Sequence, residues 1–128
     1  MPSITALTAA DLDFGKSLTE RLVRSQFPFQ AVFWLFDEAA DDWQLNVVTE
    51  LRDTEGPRQT YLGLAEIASQ LPGSGFHLTR ISALSPKDPV YAALRSVFGP
   101  ASNVEGARLH HTVVNGLLIP AAHLYVIR

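Results

Sequence analysis

Apolar positions along this chain recur with two different periods, and the switches between them mark out eight elements. Phe14, Leu18 and Leu22 fall four residues apart, with Leu12 and Val23 beside them, which predicts a helix over Ala9–Ser25. Thr8 and Asp11 stand at capping-box spacing at its start, Gly15 weakens its middle, and Pro28 forbids its continuation. Gln30 to Phe36 is then apolar almost without a break, and after the acidic loop Asp37 to Asp42 the run Trp43 to Leu51 alternates. These read as a β-hairpin that pairs Phe36 with Trp43. Val32, Trp34, Phe36, Trp43, Leu45 and Val47 then share one face, and Ala31, Phe33 and Leu35 lie on the other.

Gly56-Pro57 opens a second helix, whose buried stripe is Tyr61, Leu64, Ala65, Ala68 and Leu71. Phe76 to Leu84 reads as a third, half-polar strand after the break at Pro72 to Gly75. Asp88-Pro89 caps and begins a short third helix carrying Val90, Leu94, Val97 and Phe98, which Gly99-Pro100 stops. The polar segment Ala101 to Gly106 leads into the last stretch, Ala107 to Ile127, where two apolar runs flank Asn115-Gly116. Those two residues tolerate the positive φ that a tight type I′ turn needs, so a hairpin is expected, with Val114 opposite Leu117, His110 opposite Ala121 and Arg108 opposite His123. Alternation assigns Arg108, His110, Thr112, Val114, Leu117, Ile119, Ala121, His123 and Tyr125 to one face. Leu109, His111, Val113, Leu118, Pro120, Ala122, Leu124 and Val126 fall on the other, with a possible slip of register at Pro120.

The order is therefore α-β-β-α-β-α-β-β in a single α+β domain spanning 1–128. A five-stranded, mostly antiparallel or mixed sheet is expected, with the three helices mainly on one face. In element order alone, and in no residue motif, the chain resembles the small sensor folds of the GAF and PAS type, which are ligand-binding or dimerising modules. Helices on one face leave the other open, with Phe33, Leu35, Leu117, Ile119 and Tyr125 upon it. Contiguous apolar surface of that extent rarely stays in water on a monomer, so these five residues are the expected interface of a homodimer or of a complex with another protein.

Composition narrows the function classes. The chain is 47% hydrophobic, with seven Phe, two Trp and three Tyr, which supports a packed core. Its formal charge is −3 and its ten Lys and Arg are scattered, so there is no electrostatic footprint for nucleic acid. The chain has no cysteine, which excludes disulfides and thiolate chemistry. No apolar run reaches membrane-spanning length and no basic, apolar leader is seen at Met1 to Ala10, so a cytoplasmic protein is expected.

Candidate chemistry centres on histidine. His110 and His123 share a face with Arg108 and Thr112, close enough for a ligand to bridge them, with His110 as a base and Arg108 holding an anion. A zinc centre would need a third ligand from His77 or Glu105, so neither metal nor cofactor is expected; His111 reads as a core residue. Ala10 with Gly15-Lys16-Ser17 has the loosest phosphate-loop spacing, but no strand precedes it, and Asp11 and Asp13 would repel the phosphates. The cluster Asp37, Glu38, Asp41 and Asp42 lacks calcium-loop spacing, and Gly73-Ser74-Gly75 lacks the context of a nucleophile elbow. Arg58 stands where a helix N-terminus could share an anion, although an exposed arginine explains it as well. The chain thus reads as a non-enzymatic interaction module, and the alternative is a small-ligand-binding protein or enzyme with its site at His110, His123 and Arg108.

Overall fold

A computed structural model describes residues 5–99 and 106–128, the side chain of Phe76 excepted. Helix α1 spans Ala9–Arg24 and begins with the expected capping box. The Asp11 N–H donates to Thr8 Oγ1 at 3.1 Å, and the Thr8 N–H donates to Asp11 Oδ2 at 3.0 Å. Strands β1 (Ala31–Asp37) and β2 (Asp42–Val48) pair antiparallel with Phe36 opposite Trp43, as the pattern predicts. After the short helix α2 (Leu51–Thr54), helix α3 (Pro57–Ala68) starts on Pro57, behind Gly56 at a φ of 90°. Helix α5 (Pro89–Phe98) is capped by Asp88, whose carboxylate accepts from the Val90 N–H at 2.9 Å. Strands β4 (Ala107–Val114) and β5 (Leu117–Ile127) close around Asn115 and Gly116, at φ of 52° and 81°.

The strand expected to reach Leu51 ends at Val48, Leu51 begins α2, and the third strand differs further from its expected form. Strand β3 is only Ile81–Leu84, and the residues before it form the helical turn α4 (Ser74–His77) and a 3-10 turn, Leu78–Arg80. The physical reason is the left-handed Gly73, at a φ of 79°, which starts a helical turn rather than a strand. Spacing of three then aims His77 and Arg80 at a common partner, Asp11, which an alternating strand would not do.

The sheet is mixed, in the order β3-β2-β1-β5-β4, with β3 parallel to β2 and the other pairs antiparallel. Strand β1 is central, and Ala31, Val32, Phe33 and Trp34 are fully buried because both faces of the sheet are covered. On the first face, α1 and α3 pack Phe14, Leu18, Leu22 and Leu64 onto Trp34, Leu45 and Val47. On the second, α5 packs Tyr91, Ala93 and Leu94 onto Phe33, Val48, Leu124 and Ile127.

Two of the three long helices thus share a face, and α5 takes the other, because the chain must cross from edge strand β3 to edge strand β4. That crossing covers the face expected to be open. Phe33 is 0% and Ile119 1% exposed beneath the α5 side, Leu35 and Leu117 pack partly against it, and Tyr125, 7% exposed, belongs to the first core. The five residues expected as an interface are therefore divided between two interior cores.

The C-terminal hairpin keeps its expected register throughout, including Arg108 opposite His123 and His110 opposite Ala121. Its faces, however, exchange half-way. Val114, Leu117 and Ile119 join the second core, whereas Ala121 and Tyr125 join the first. The exchange falls where His111, at a φ of 44°, stands beside the position of Pro120, which offers the ladder no N–H. His111 is exposed as a result, not part of the core.

Candidate functional site

The twist at His111 leaves Arg108, His110, Ala121 and His123 facing the α1 side of the sheet. There they form one side of a cleft of about 320 Å3. Leu7 and Ala6, from the extended strap of residues 5–8 before α1, together with Leu12 on α1, form the opposing wall. Trp43 of β2 closes one end, and Leu109 and Ala122 contribute from the hairpin. Ala121 contributes only a methyl group to this face, whereas Ala122 directs its side chain into the second core and meets the cleft at its edge.

Hydrogen bonds tie the strap and α1 to the sheet around the cleft. The Trp43 indole N–H donates to the Thr5 carbonyl at 2.6 Å and ties down the strap. The Tyr125 hydroxyl accepts from the Trp34 indole at 3.1 Å and donates to the Leu12 carbonyl at 2.8 Å, fixing the start of α1. His123 is 8% exposed and meets the Tyr125 ring edge-on at 5.1 Å. His110 is exposed and rests against the His111 ring at 4.6 Å. Arg108 is exposed and has no hydrogen bond or ion pair with a described residue.

Behind the strap lies a cluster that sequence reasoning did not assemble. Asp11 Oδ1 accepts from His77 Nε2 and from Arg80 Nη1, each at 2.8 Å, while its Oδ2 accepts from Thr8. Arg80 also reaches the Trp43 carbonyl at 3.3 Å and Asp42 at 3.4 Å, and its guanidinium lies 4.9 Å from the centre of the Trp34 ring. His77 is stacked on Phe14 at 4.3 Å, and its Nδ1 faces the Gly73 carbonyl at 2.9 Å. Burial works to raise the Asp11 pKa, but the hydrogen bonds from Thr8, His77 and Arg80, with the Arg80 charge, outweigh it. They hold the carboxyl at about 2, below its ordinary 3.8. Both ring nitrogens of His77 are engaged, so the pair has no nitrogen left for proton transfer to a ligand, and its role is to fix the strap and α1. A signal for it existed in the capping-box Asp11, whose second oxygen was left over, and in the three-residue spacing of His77 and Arg80.

The remaining sequence candidates are dispersed. His77 lies against Asp11 and not with the hairpin histidines, and Glu105 falls outside the described residues. Among the described residues no group of three His, Asp or Glu could hold a metal ion. Ala10 to Ser17 is uninterrupted helix, with Gly15 packed against the Tyr125 ring, so it makes no phosphate loop. Asp37 caps its own turn by accepting from the Ala39 N–H at 3.0 Å, and Asp42 turns to Arg80. Gly73-Ser74-Gly75 begins a helical turn, and Arg58 is exposed. No helix among the described residues is long and apolar enough to cross a membrane.

Searched against protein-family models, curated proteins and solved structures, the chain matches none of them.

Proposed function

We propose that this protein is a small-molecule binder whose ligand occupies the cleft between the N-terminal strap and the C-terminal hairpin. The observation that carries the reading is convergence: Arg108, His110 and His123 meet Leu7, Leu12, Trp43 and Leu109 around one concave space. An apolar enclosure with a few polar groups is how small-ligand sites are generally built, and the cleft lies at the lower end of their usual range of roughly 300–1,000 Å3. Binding is favoured over catalysis. His110 could serve as a base, but the described lining residues include no hydroxyl, amine or carboxylate to act as nucleophile or to orient it.

The test is a thermal-shift screen of divalent metals, nucleotides, phosphorylated metabolites and organic acids, followed by the variants His110→Ala and Arg108→Gln. Both side chains are exposed, so the fold should tolerate their loss. A hit whose shift disappears in these variants supports the reading. It fails if no compound raises the melting temperature, or if the shift survives both substitutions.

A second reading is self-association, and one observation favours it. Val113 and Leu118 form a cross-strand pair near the hairpin tip and are 65% and 54% exposed. A solution mass that doubles, and returns to the monomer value in Val113→Lys, would support a dimer through this tip. A monomeric mass across a hundredfold dilution would rule it out.

A further inference from the structure

We infer that the ligand of this cleft is a monoanion with an apolar body, a carboxylate on a medium-length alkyl chain or a single ring, whose head is held by Arg108. The inference rests on the cleft being a binding site and names what it takes. Its first support is charge. The chain carries thirteen acidic residues against ten basic ones, yet the described residues lining the cleft include one Arg, two His and no Asp or Glu. Arg108 thus gives the described lining a positive charge, which favours an anion over a neutral or cationic ligand.

Its second support is the state of Arg108. Arg21, Arg52, Arg80, Arg95 and Arg128 each donate to a described oxygen, from Gln70 Oε1 to the Arg128 carbonyl. Arg108, exposed like Arg24 and Arg58 and like them without a hydrogen-bond partner among the described residues, lines this cleft. A guanidinium fork matches a carboxylate through two parallel N–H···O bonds and stays charged at any working pH. It is the single permanent charge among the described lining residues, which fits one negative charge on the ligand better than two.

Its third support is shape. Arg108 is on β4 and Trp43 on β2, three strand spacings apart in the order β2-β1-β5-β4, or about 14 Å before the side chains reach inward. Between them the floor includes Ala121 and the roof is Leu7 and Leu12, all apolar. A head at Arg108 therefore leaves an apolar tail directed along the sheet toward the Trp43 indole, with the largely buried His123 beneath the head group.

The experiment compares octanoate, octanamide, octylammonium and octyl phosphate by isothermal titration calorimetry on the full chain and on Arg108→Gln. Octanoate should bind at least about tenfold more tightly than octanamide, the gain expected of a hydrogen-bonded charge pair. Octylammonium should be the weakest of the four. In Arg108→Gln the preference for octanoate should collapse to near one while octanamide affinity is unchanged. Equal binding of octanoate and octanamide, or tighter binding of octyl phosphate than of octanoate, overturns the monoanion inference and leaves the binding reading standing. If none of the four binds, the monoanion inference falls, and the binding reading is decided by the thermal-shift screen.

Discussion

His77 Nε2 lies 2.8 Å from Asp11 Oδ1 across 66 residues of chain, and Arg80 donates to the same oxygen. This contact joins the start of α1 to the turn before β3. Because Thr8 also donates to Asp11, it holds the strap that walls the cleft. The Asp11 carboxyl titrates at about 2 in the folded chain and at 3.8 by its ordinary value. A carboxyl with a depressed folded pKa contributes stability that is fully present above the unfolded value. That contribution, about 2 kcal/mol, should be lost as the pH falls from 4 through 2. Urea unfolding at pH 7 and at pH 2 checks it: Asp11→Asn should be less stable than the parent at pH 7, and the gap should close at pH 2. A gap that persists at pH 2 would show that the contribution does not come from the carboxylate charge.

Gly15 faces the Tyr125 ring so closely that a Cβ there would collide with it. In an exposed helix, Gly→Ala stabilises by up to about 1 kcal/mol. Here Gly15→Ala should instead destabilise by about 1–3 kcal/mol, because Tyr125 must move and its bonds to Trp34 and Leu12 go with it. Chemical denaturation gives the sign directly. Tyr125→Phe should also destabilise, since it strands the buried Trp34 N–H.

Phe33 is buried beneath α5, so a charge there meets the core and not solvent. Phe33→Asp should unfold the chain, with loss of helical circular dichroism. Retained helicity with a change only in oligomeric mass would restore Phe33 to an interface.

Much of this architecture was legible because it is local. Thr8 with Asp11, Asp88-Pro89, the Phe36–Trp43 pairing and Asn115-Gly116 each specify their structure within a few residues. Which face α5 covers was not legible. It follows from β5 inserting beside β1, a pairing of residues about ninety positions apart that no periodicity records. The strand expected over Phe76 to Leu84 shows the same limit, since an alternating pattern also fits a helical turn whose polar residues find a distant carboxylate. At the cleft, the register brought Arg108, His110 and His123 together as expected, whereas the wall of Leu7, Leu12 and Trp43 depends on tertiary folding.

The cleft itself should respond to the strap. Trp43→Phe removes the bond to the Thr5 carbonyl while keeping an aromatic end wall. It should speed amide exchange at Thr8, whose N–H is bonded to Asp11, and weaken octanoate binding by about threefold to tenfold, the loss expected for one hydrogen bond. Unchanged exchange at Thr8 would mean that the Trp43–Thr5 bond does not hold the strap.

The most direct measurement is an NMR titration of the isotope-labelled chain with octanoate, observing backbone amides and the two indole N–H groups. Saturable shifts at Leu12, Leu109, Ala121 and Ala122 and at the Trp43 indole, with the Trp34 indole nearly still, are the predicted result. Shifts confined to the hairpin tip or α5, or none at all, would contradict a ligand site in this cleft.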